Sequence, residues 1–278
     1  MSNPFTRSRR ATHRVVVAAH LIAMTGPLLC VSIAARAADM PMKAPPAPAP
    51  APTYQWTGCY VGLNGGAGAA ASDVTTTVGA GSYLVPGDAA EVTNDGTGSA
   101  NTTILTGGGQ AGCNWQTGTV VVGLEGDFDS FRSTSSFYNN TNALPVSGLP
   151  FVIGQSVTTD YFATVRPRLG IAADRNFAYI TGGVAFSRVG YTESYADGGA
   201  PPGIGAATAA QSLIGWTAGV GWEHAWAEHW TFKIEYLFAS FPTTTAAGLI
   251  AGPGGTNPLN GSANLWIQTL RGGVNFKF

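Results

Sequence analysis

The 278-residue chain predicts an all-β fold, an eight-stranded antiparallel up-and-down transmembrane β-barrel, on three observations. First, the C-terminal residues alternate strictly, with Leu270, Gly272, Val274, Phe276 and Phe278 on one parity and Arg271, Gly273, Asn275 and Lys277 on the other. This is the period of a strand with one apolar and one polar face. Second, segments of this kind are joined by connections that alternate short and long without exception. Third, charged residues make up 10% of the chain against a usual figure of about 25%, yet beyond the N-terminal leader no run stays apolar for the ~20 residues of a spanning helix. Low charge without long apolar runs is what strands with one lipid-facing side produce.

The leader comes first. Arg7, Arg9, Arg10 and Arg14 form a basic start, residues 15–33 an apolar run, and Ala35, Arg36 and Ala37 an A-x-A cleavage site. Residues 1–37 are expected to be a secretory signal peptide. Cys30 raises a lipoprotein alternative, but Leu29 stands where a small residue is expected and the cleavage site follows. The leader holds five of the fourteen basic residues and none of the fifteen acids, so the mature chain has nine bases and a net charge of −6. That balance argues against nucleic acid as a partner. Residues 38–55 are rich in Ala and Pro and cannot build a ladder; they are expected to form an extended periplasmic tether.

The barrel is expected over 56–278, with strands near 56–69, 103–115, 119–131, 159–172, 177–189, 211–225, 230–241 and 264–278. Residues 116–118, 173–176 and 226–229 make tight hairpin turns. The other four connections, about twenty to thirty residues each, read as long loops of Gly, Ser, Thr, Asn, Pro and Ala. All short turns then lie at one end with both termini, the asymmetry of a barrel with short periplasmic turns.

Parity assigns the faces. Trp230, Phe232, Ile234, Tyr236 and Phe238 oppose Thr231, Lys233 and Glu235; Val120, Val122, Leu124 and Phe128 oppose Glu125, Asp127 and Asp129; Tyr161, Ala163, Val165, Leu169 and Ile171 oppose Asp160, Arg166 and Arg168. With apolar faces toward lipid, Glu125, Asp127, Arg166, Arg168, Glu223, Lys233, Glu235 and Arg271 point into the lumen. Such charges must pair or stay wet. An eight-stranded interior is about filled by side chains, which favours a salt-bridged plug; the alternative is a narrow selectivity filter. Aromatic residues collect near strand ends, with Trp56, Trp115, Phe177, Trp222, Trp226, Trp230, Phe276 and Phe278 toward the short turns and Phe131, Tyr161, Tyr191, Phe241 and Trp266 toward the long connections. Two such levels suit the girdles of a membrane barrel. A soluble lipocalin-like barrel is the competing fold.

Several stretches together resemble a known family: YQWTGCYVGLNGG at 54–66, GGGQAGCNW at 107–115, VGLEGDF at 122–128, VRPRLG at 165–170, YITGGVAFSRV at 179–189 and the terminal RGGVNFKF. Over 56–278 the chain is similar to the small outer-membrane surface-antigen barrels of alphaproteobacteria, described as outer membrane immunogenic proteins or porin-family proteins with an OmpA-like transmembrane barrel. The resemblance implies a monomeric or weakly self-associating barrel in the cell outer membrane that contributes to envelope integrity and displays antigenic loops; some relatives are called porins. It also implies that Val274, Phe276 and Phe278 form the signal read by the outer-membrane assembly machinery. The chain departs from the family pattern at Cys59 and Cys113, where aromatic residues are expected, and at Pro167, which suggests a bulge.

Cys59 and Cys113 both fall on outward faces, and setting them opposite each other also sets Trp56 against Gln116. An exported chain can oxidise such a pair; a cross-strand disulfide and two packed free thiols both fit. His224 and His229, beside Glu223 and Glu228, lie at a solvated turn, and an i, i+5 pair on a strand and a turn need not converge on a metal. A lipid-hydrolysing serine, histidine and acid would have to meet near the outer leaflet, at the end opposite both histidines. Gly107 to Gly109 precede neither a helix nor a Lys-Ser/Thr pair, so they are no phosphate loop. No cofactor, metal site or catalytic residue is expected. The long connections carry Asp73, Asp88, Glu91, Asp95, Glu193 and Asp197, an acidic set that serves solubility or a loop-bound ligand.

Overall fold

The computed structural model describes residues 53–278 apart from residue 141; the expected signal peptide and all but the last three residues of the expected tether lie outside the described residues. Eight strands, β1 (Gly58–Val78), β2 (Gly98–Thr117), β3 (Val120–Asn139), β4 (Phe151–Ala173), β5 (Asn176–Asp197), β6 (Ile204–Ala225), β7 (Trp230–Gly252) and β8 (Gly255–Lys277), and one helix, α1 (Pro86–Asp95), make up the fold. Each strand pairs antiparallel with the next and β8 closes on β1. Closure gives each strand a neighbour on both sides, which satisfies backbone groups without water in the lower barrel. Higher up, the β2–β3 ladder ends at Gly107 and Ser130, and the β6–β7 ladder is interrupted between Ala207 and Trp216.

The short turns follow from local chemistry. Thr117 pairs with Val120 across Gly118, which takes the left-handed conformation with φ of 61°, and Ala173 pairs with Asn176 across Asp174, at φ of 49°. Two-residue hairpins need positive φ, which Gly and Asp tolerate best.

The four long connections are corrected. Their expected loops are mostly strand, and what remains is 79–97 with α1, 140–150, 198–203 and the two-residue turn at Pro253 and Gly254. Strands of 20 to 23 residues are about twice the 9–11 residues that cross a bilayer.

The physical reason lies in a reversal of the faces. Near the short turns Val122, Leu124, Val165, Leu169, Ile180, Val220, Ile234 and Leu270 are exposed outward, as lipid requires. Farther up, the outward residues turn polar, among them Arg132, Thr134, Ser136, Thr158, Thr192 and Ser194. The inward ones become an apolar core of Phe131, Ile153, Val157, Tyr191, Leu259, Leu265 and Ile267. Period two resumes beyond the register shifts that break it in β4 and β7, but above the bilayer its sense inverts because the outer solvent is now water. The upper barrel is built like a soluble one, and Ala89 and Val92 of α1 pack into its open end.

Pro167 is corrected too. Register shifts lie between Ser130 and Ser133 on β3 and between Thr159 and Ala163 on β4. At Pro167 the β4–β5 register continues unchanged from Val165 to Arg168. The proline has no N–H to give, and its carbonyl accepts from Thr181 Oγ1 at 2.8 Å. Opposite, a Cβ on Gly183 would stand 2.2 Å from the Val165 carbonyl oxygen, so this close approach of β5 to β4 needs a glycine.

Candidate functional site: the barrel lumen

Three layers fill the interior. The lowest is built from the segment entering β1. Trp56 is 1% exposed. Its backbone N–H donates to Gln116 Oε1 at 2.8 Å and its indole N–H to the Asp174 carbonyl at 3.0 Å. Its ring lies 5.2 Å from Phe177, and Tyr54, Val121, Ala172, Tyr179 and Ala225 complete the cluster. The expected girdle is therefore revised. Trp56 and Phe177 plug the short-turn mouth, and Phe131, Tyr191 and Phe241 belong to the upper core. Tyr161 and Trp266 keep their expected outward place at the upper level, where Phe128, Phe186, Trp216 and Phe238 join them. Phe128 stacks on Tyr161 at 5.4 Å and Trp216 packs on Phe238 at 5.4 Å.

The middle layer is ionic, and all eight sequence-assigned lumen charges meet in it. Arg166 Nη2 contacts Asp127 at 2.7 Å, Glu125 at 2.9 Å and Glu235 at 3.2 Å. Arg271 binds Glu235 at 2.8 Å and Asp127 at 3.0 Å. Lys233 donates to both oxygens of Glu125, at 2.7 and 2.9 Å. Arg168 reaches Glu223 at 3.1 Å and Asn114 Oδ1 at 2.8 Å, and its guanidinium carbon lies 4.8 Å from the Tyr60 ring centroid and 5.2 Å from that of Tyr179. All are buried. Adjacent strands make the pairing possible, because Glu125 sits opposite Arg166 in the β3–β4 register and Glu235 opposite Arg271 in β7–β8.

Asp129 joins the network through Arg271. Tyr60 donates to Glu125, and Tyr179 to Glu235 at 3.0 Å. These three were absent from the predicted set, although parity places Asp129 beside Asp127. Five carboxylates thus share four cations among the described residues. Glu125, Asp127, Glu223 and Glu235 each collect several donors, which offsets the cost of charge in a dry interior, while Asp129 binds Arg271 through one oxygen and leaves Oδ1 without a partner.

The third layer is the upper apolar core, with one polar cluster inside it. Glu193 is buried there, accepting from Gln155 at 3.2 Å and Tyr191 at 3.3 Å, with Thr76 as a further donor. At the far end Asp197 accepts from Tyr83 at 2.6 Å, Tyr195 at 3.0 Å and the backbone N–H groups of Gly199 and Gly203 at 3.0 and 2.9 Å. Burial and then the bond to Asp197 push the Tyr83 hydroxyl up to about 12. Burial opposes ionisation of Asp197, but its four donors outweigh it and hold the carboxyl below the usual range. Asp88 accepts from the N–H groups of Val146 and Ser147. The acidic set assigned to solvated loops is thus in good part internal: Asp88, Glu193 and Asp197 are buried, Asp88 and Asp197 tie connections together, and Glu193 ties β1 to β4 and β5.

Outside the lumen, Cys59 and Cys113 face each other in the β1–β2 register and are joined by a disulfide. Val274, Phe276 and Phe278 are exposed on one face at the terminus, where the Phe278 N–H donates to the Cys59 carbonyl at 3.0 Å. His224 and His229 do not converge: Nδ1 of the first lies 3.0 Å from Asn176 Oδ1, and that of the second 2.9 Å from the Lys277 carbonyl.

A family model described as outer membrane protein beta-barrel domain matches residues 32–278. The chain belongs to this outer-membrane β-barrel family. The barrel is 31% identical over 253 residues to the 31 kDa outer-membrane immunogenic protein of Brucella melitensis biotype 1, covering 88% of this chain and 93% of that one. It is 26% identical over 261 residues to the 25 kDa outer-membrane immunogenic protein of Brucella abortus biovar 1, covering 93% and 97%. Among solved structures, outer membrane protein OprG from Pseudomonas aeruginosa aligns at 10% identity over 81% of this chain and 99% of its own, with a TM-score of 0.41. The family match and the immunogenic-protein relatives place this barrel in the cell outer membrane.

Proposed function

We propose that the barrel is a closed structural element of the outer membrane that displays a rigid β-wall on the cell surface, without catalysis and without a conducting lumen. The observation that carries this reading is the sequence of three filled layers, from Trp56 through the Arg166–Glu125 network to the upper core capped by α1. A path for ions would have to break a hydrophobic seal twice and a desolvated charge network once. Breaking one member of such a buried network is costly because it leaves an uncompensated charge. The polar outward faces of the upper strands supply the surface presented to the outside. Interaction with outer-membrane lipid, recognition of Val274, Phe276 and Phe278 by the assembly machinery, and any self-association are parts of the same proposal.

Single-channel conductance of the refolded barrel in a planar bilayer tests it, with an Arg166→Ala/Arg168→Ala variant alongside. Wild-type protein shown to be folded by heat-modifiable gel mobility should be silent. Stable conductance steps whose size or selectivity changes in the variant would replace this proposal with a narrow porin.

A further inference from the structure

Eight basic side chains lie among the described residues. Arg166, Arg168, Lys233 and Arg271 are spent in the lumen, and Arg175 and Lys277 lie at the short-turn end. The two that remain, Arg132 on β3 and Arg188 on β5, both point outward. They flank Asp160 of β4 on one row, since Ser133 pairs with Thr159 and Thr159 with Val189. The row stands twelve residues above the first residue of β3 and of β5, roughly 30 Å at a strand rise of about 3.3 Å and a tilt near 40°. That is just above an apolar band of about 25 Å, where the headgroups of the outer leaflet begin.

Directly beneath the row the lipid-facing wall is hollowed. One cavity of about 490 Å³ runs over Gly109, Ala111, Gly126, Ala163, Phe128 and Phe186. It shares Ala111, Gly126 and Val165 with a second of about 520 Å³ that continues down to the Cys59–Cys113 disulfide and Phe278. The chain's own packing does not require the hollow. A Cβ at Gly109 would meet its nearest atom at 3.8 Å and one at Gly126 at 3.7 Å, both ordinary contacts.

We propose that this wall is a binding site for a phosphate-bearing lipid of the outer leaflet, its phosphate held by Arg132 and Arg188 and an acyl chain lying in the hollow over β1 to β4. Charge complementarity selects this occupant: among the described residues the outward cations away from the short-turn end are Arg132 and Arg188, and both stand at the headgroup level above the apolar hollow. Two strand spacings separate the arginines by about 10 Å, a span that two long guanidinium side chains can close on one phosphate, each in a charge-assisted fork. Asp160 opposes the anion. Its link to Arg188 is 3.8 Å long with both side chains 60% exposed, and an exposed pair of that kind holds weakly enough to exchange for phosphate. The inference depends on the membrane placement of the barrel and not on whether the lumen conducts.

Native mass spectrometry of the refolded full barrel tests it, using a bis-phosphorylated diglucosamine lipid and its dephosphorylated counterpart with the same acyl chains. The phosphorylated lipid should be retained at least ten-fold better. Arg132→Gln/Arg188→Gln should abolish that preference, Asp160→Asn should raise retention several-fold, and Gly109→Leu/Gly126→Leu should lower it with both arginines intact. Folding of each variant is read from heat-modifiable mobility, and the exposed charges make the arginine and aspartate variants safe. Equal retention of the two lipids, an unchanged arginine variant, competition by millimolar inorganic phosphate with no effect of filling the hollow, or a dimer that replaces the lipid-bound species would each overturn the proposal.

Discussion

The indole N–H of Trp56 donates to the backbone carbonyl of Asp174, 118 positions away in sequence and 3.0 Å away in space. One side chain thus closes the mouth of the barrel and anchors the turn between β4 and β5. Trp56→Ala removes a fully buried aromatic and leaves the Asp174 carbonyl unpaired, which should cost about 3–5 kcal/mol. The check is the urea midpoint of the refolded barrel in detergent micelles. The variant should stay electrically silent in a bilayer, because the ionic layer and upper core are intact; an open channel would show that Trp56 alone is the seal.

Removing one member of the ionic layer strands its partners. Arg166→Ala leaves Glu125, Asp127 and Glu235 each short of a donor and should destabilise the barrel by about 3–5 kcal/mol. Adding Asp127→Asn should return part of that loss, since it removes one uncompensated charge. A double-mutant cycle by denaturant titration measures the coupling, and strictly additive losses would mean that the two side chains act separately.

The Cys59–Cys113 bond spans 54 positions. Loop-closure entropy for a loop of that length gives a stabilisation of about 4 kcal/mol as an upper figure, by the chain-entropy model. Reductant should therefore lower the unfolding midpoint of the wild type and leave Cys59→Ala/Cys113→Ala unmoved. Thiol titration of denatured, unreduced protein should find neither residue reactive; two thiols per chain would refute the bond.

Asp197 organises the 198–203 connection through four donors. Its carboxyl is held below its unfolded value, so the stabilisation is complete above the ordinary carboxylate pKa of about 3.9 and is lost as pH falls through the lower folded value. Amide exchange at Gly199 and Gly203 should accelerate below about pH 4, after correction for intrinsic rates. In Asp197→Asn that acid-dependent step should vanish, with the connection already loosened at neutral pH.

The turn at Pro253 and Gly254 should tolerate an inserted epitope, since Gly254 sits at φ of 89° with open space around its Cβ position. Antibody against that epitope should stain intact cells. An epitope at Gly118, at the opposite end, should be reached only after permeabilisation, and the reverse pattern would mean that the short turns face outward.

The lower barrel was legible because its two faces differ sharply: Glu125, Asp127, Arg166 and Lys233 alternate with Leu124, Val165 and Ile234, and parity alone places them. Parity also separates Phe131 from Phe128, three positions apart, and sends Phe131 inward, whereas its place near a strand end favours a girdle. The upper strands were not legible. In β7 the stretch from Pro242 to Gly252 reads PTTTAAGLIAG, where small side chains on both faces blur the contrast that period two needs. Side chains such as Ala246 are buried inside without announcing an interior. The hydrogen-bonding role of Glu193 was hidden for the same reason, because a strand facing water outside and apolar groups inside resembles a loop when both faces carry Thr, Ser and Gly.

The reversal of faces above the bilayer also sets the terms on which the exposed surface can change over time. Only every second residue of each upper strand reaches the outside, in a grid about 7 Å along a strand and 4.8 Å across. Positions such as Thr134, Ser136, Thr192 and Ser194 can be exchanged without touching Phe131, Ile153 or Tyr191, and surface substitutions of that kind usually shift stability by less than about 0.5 kcal/mol. Whatever recognises the cell through this barrel reads a pattern that can be rewritten one character at a time while the frame behind it stays fixed.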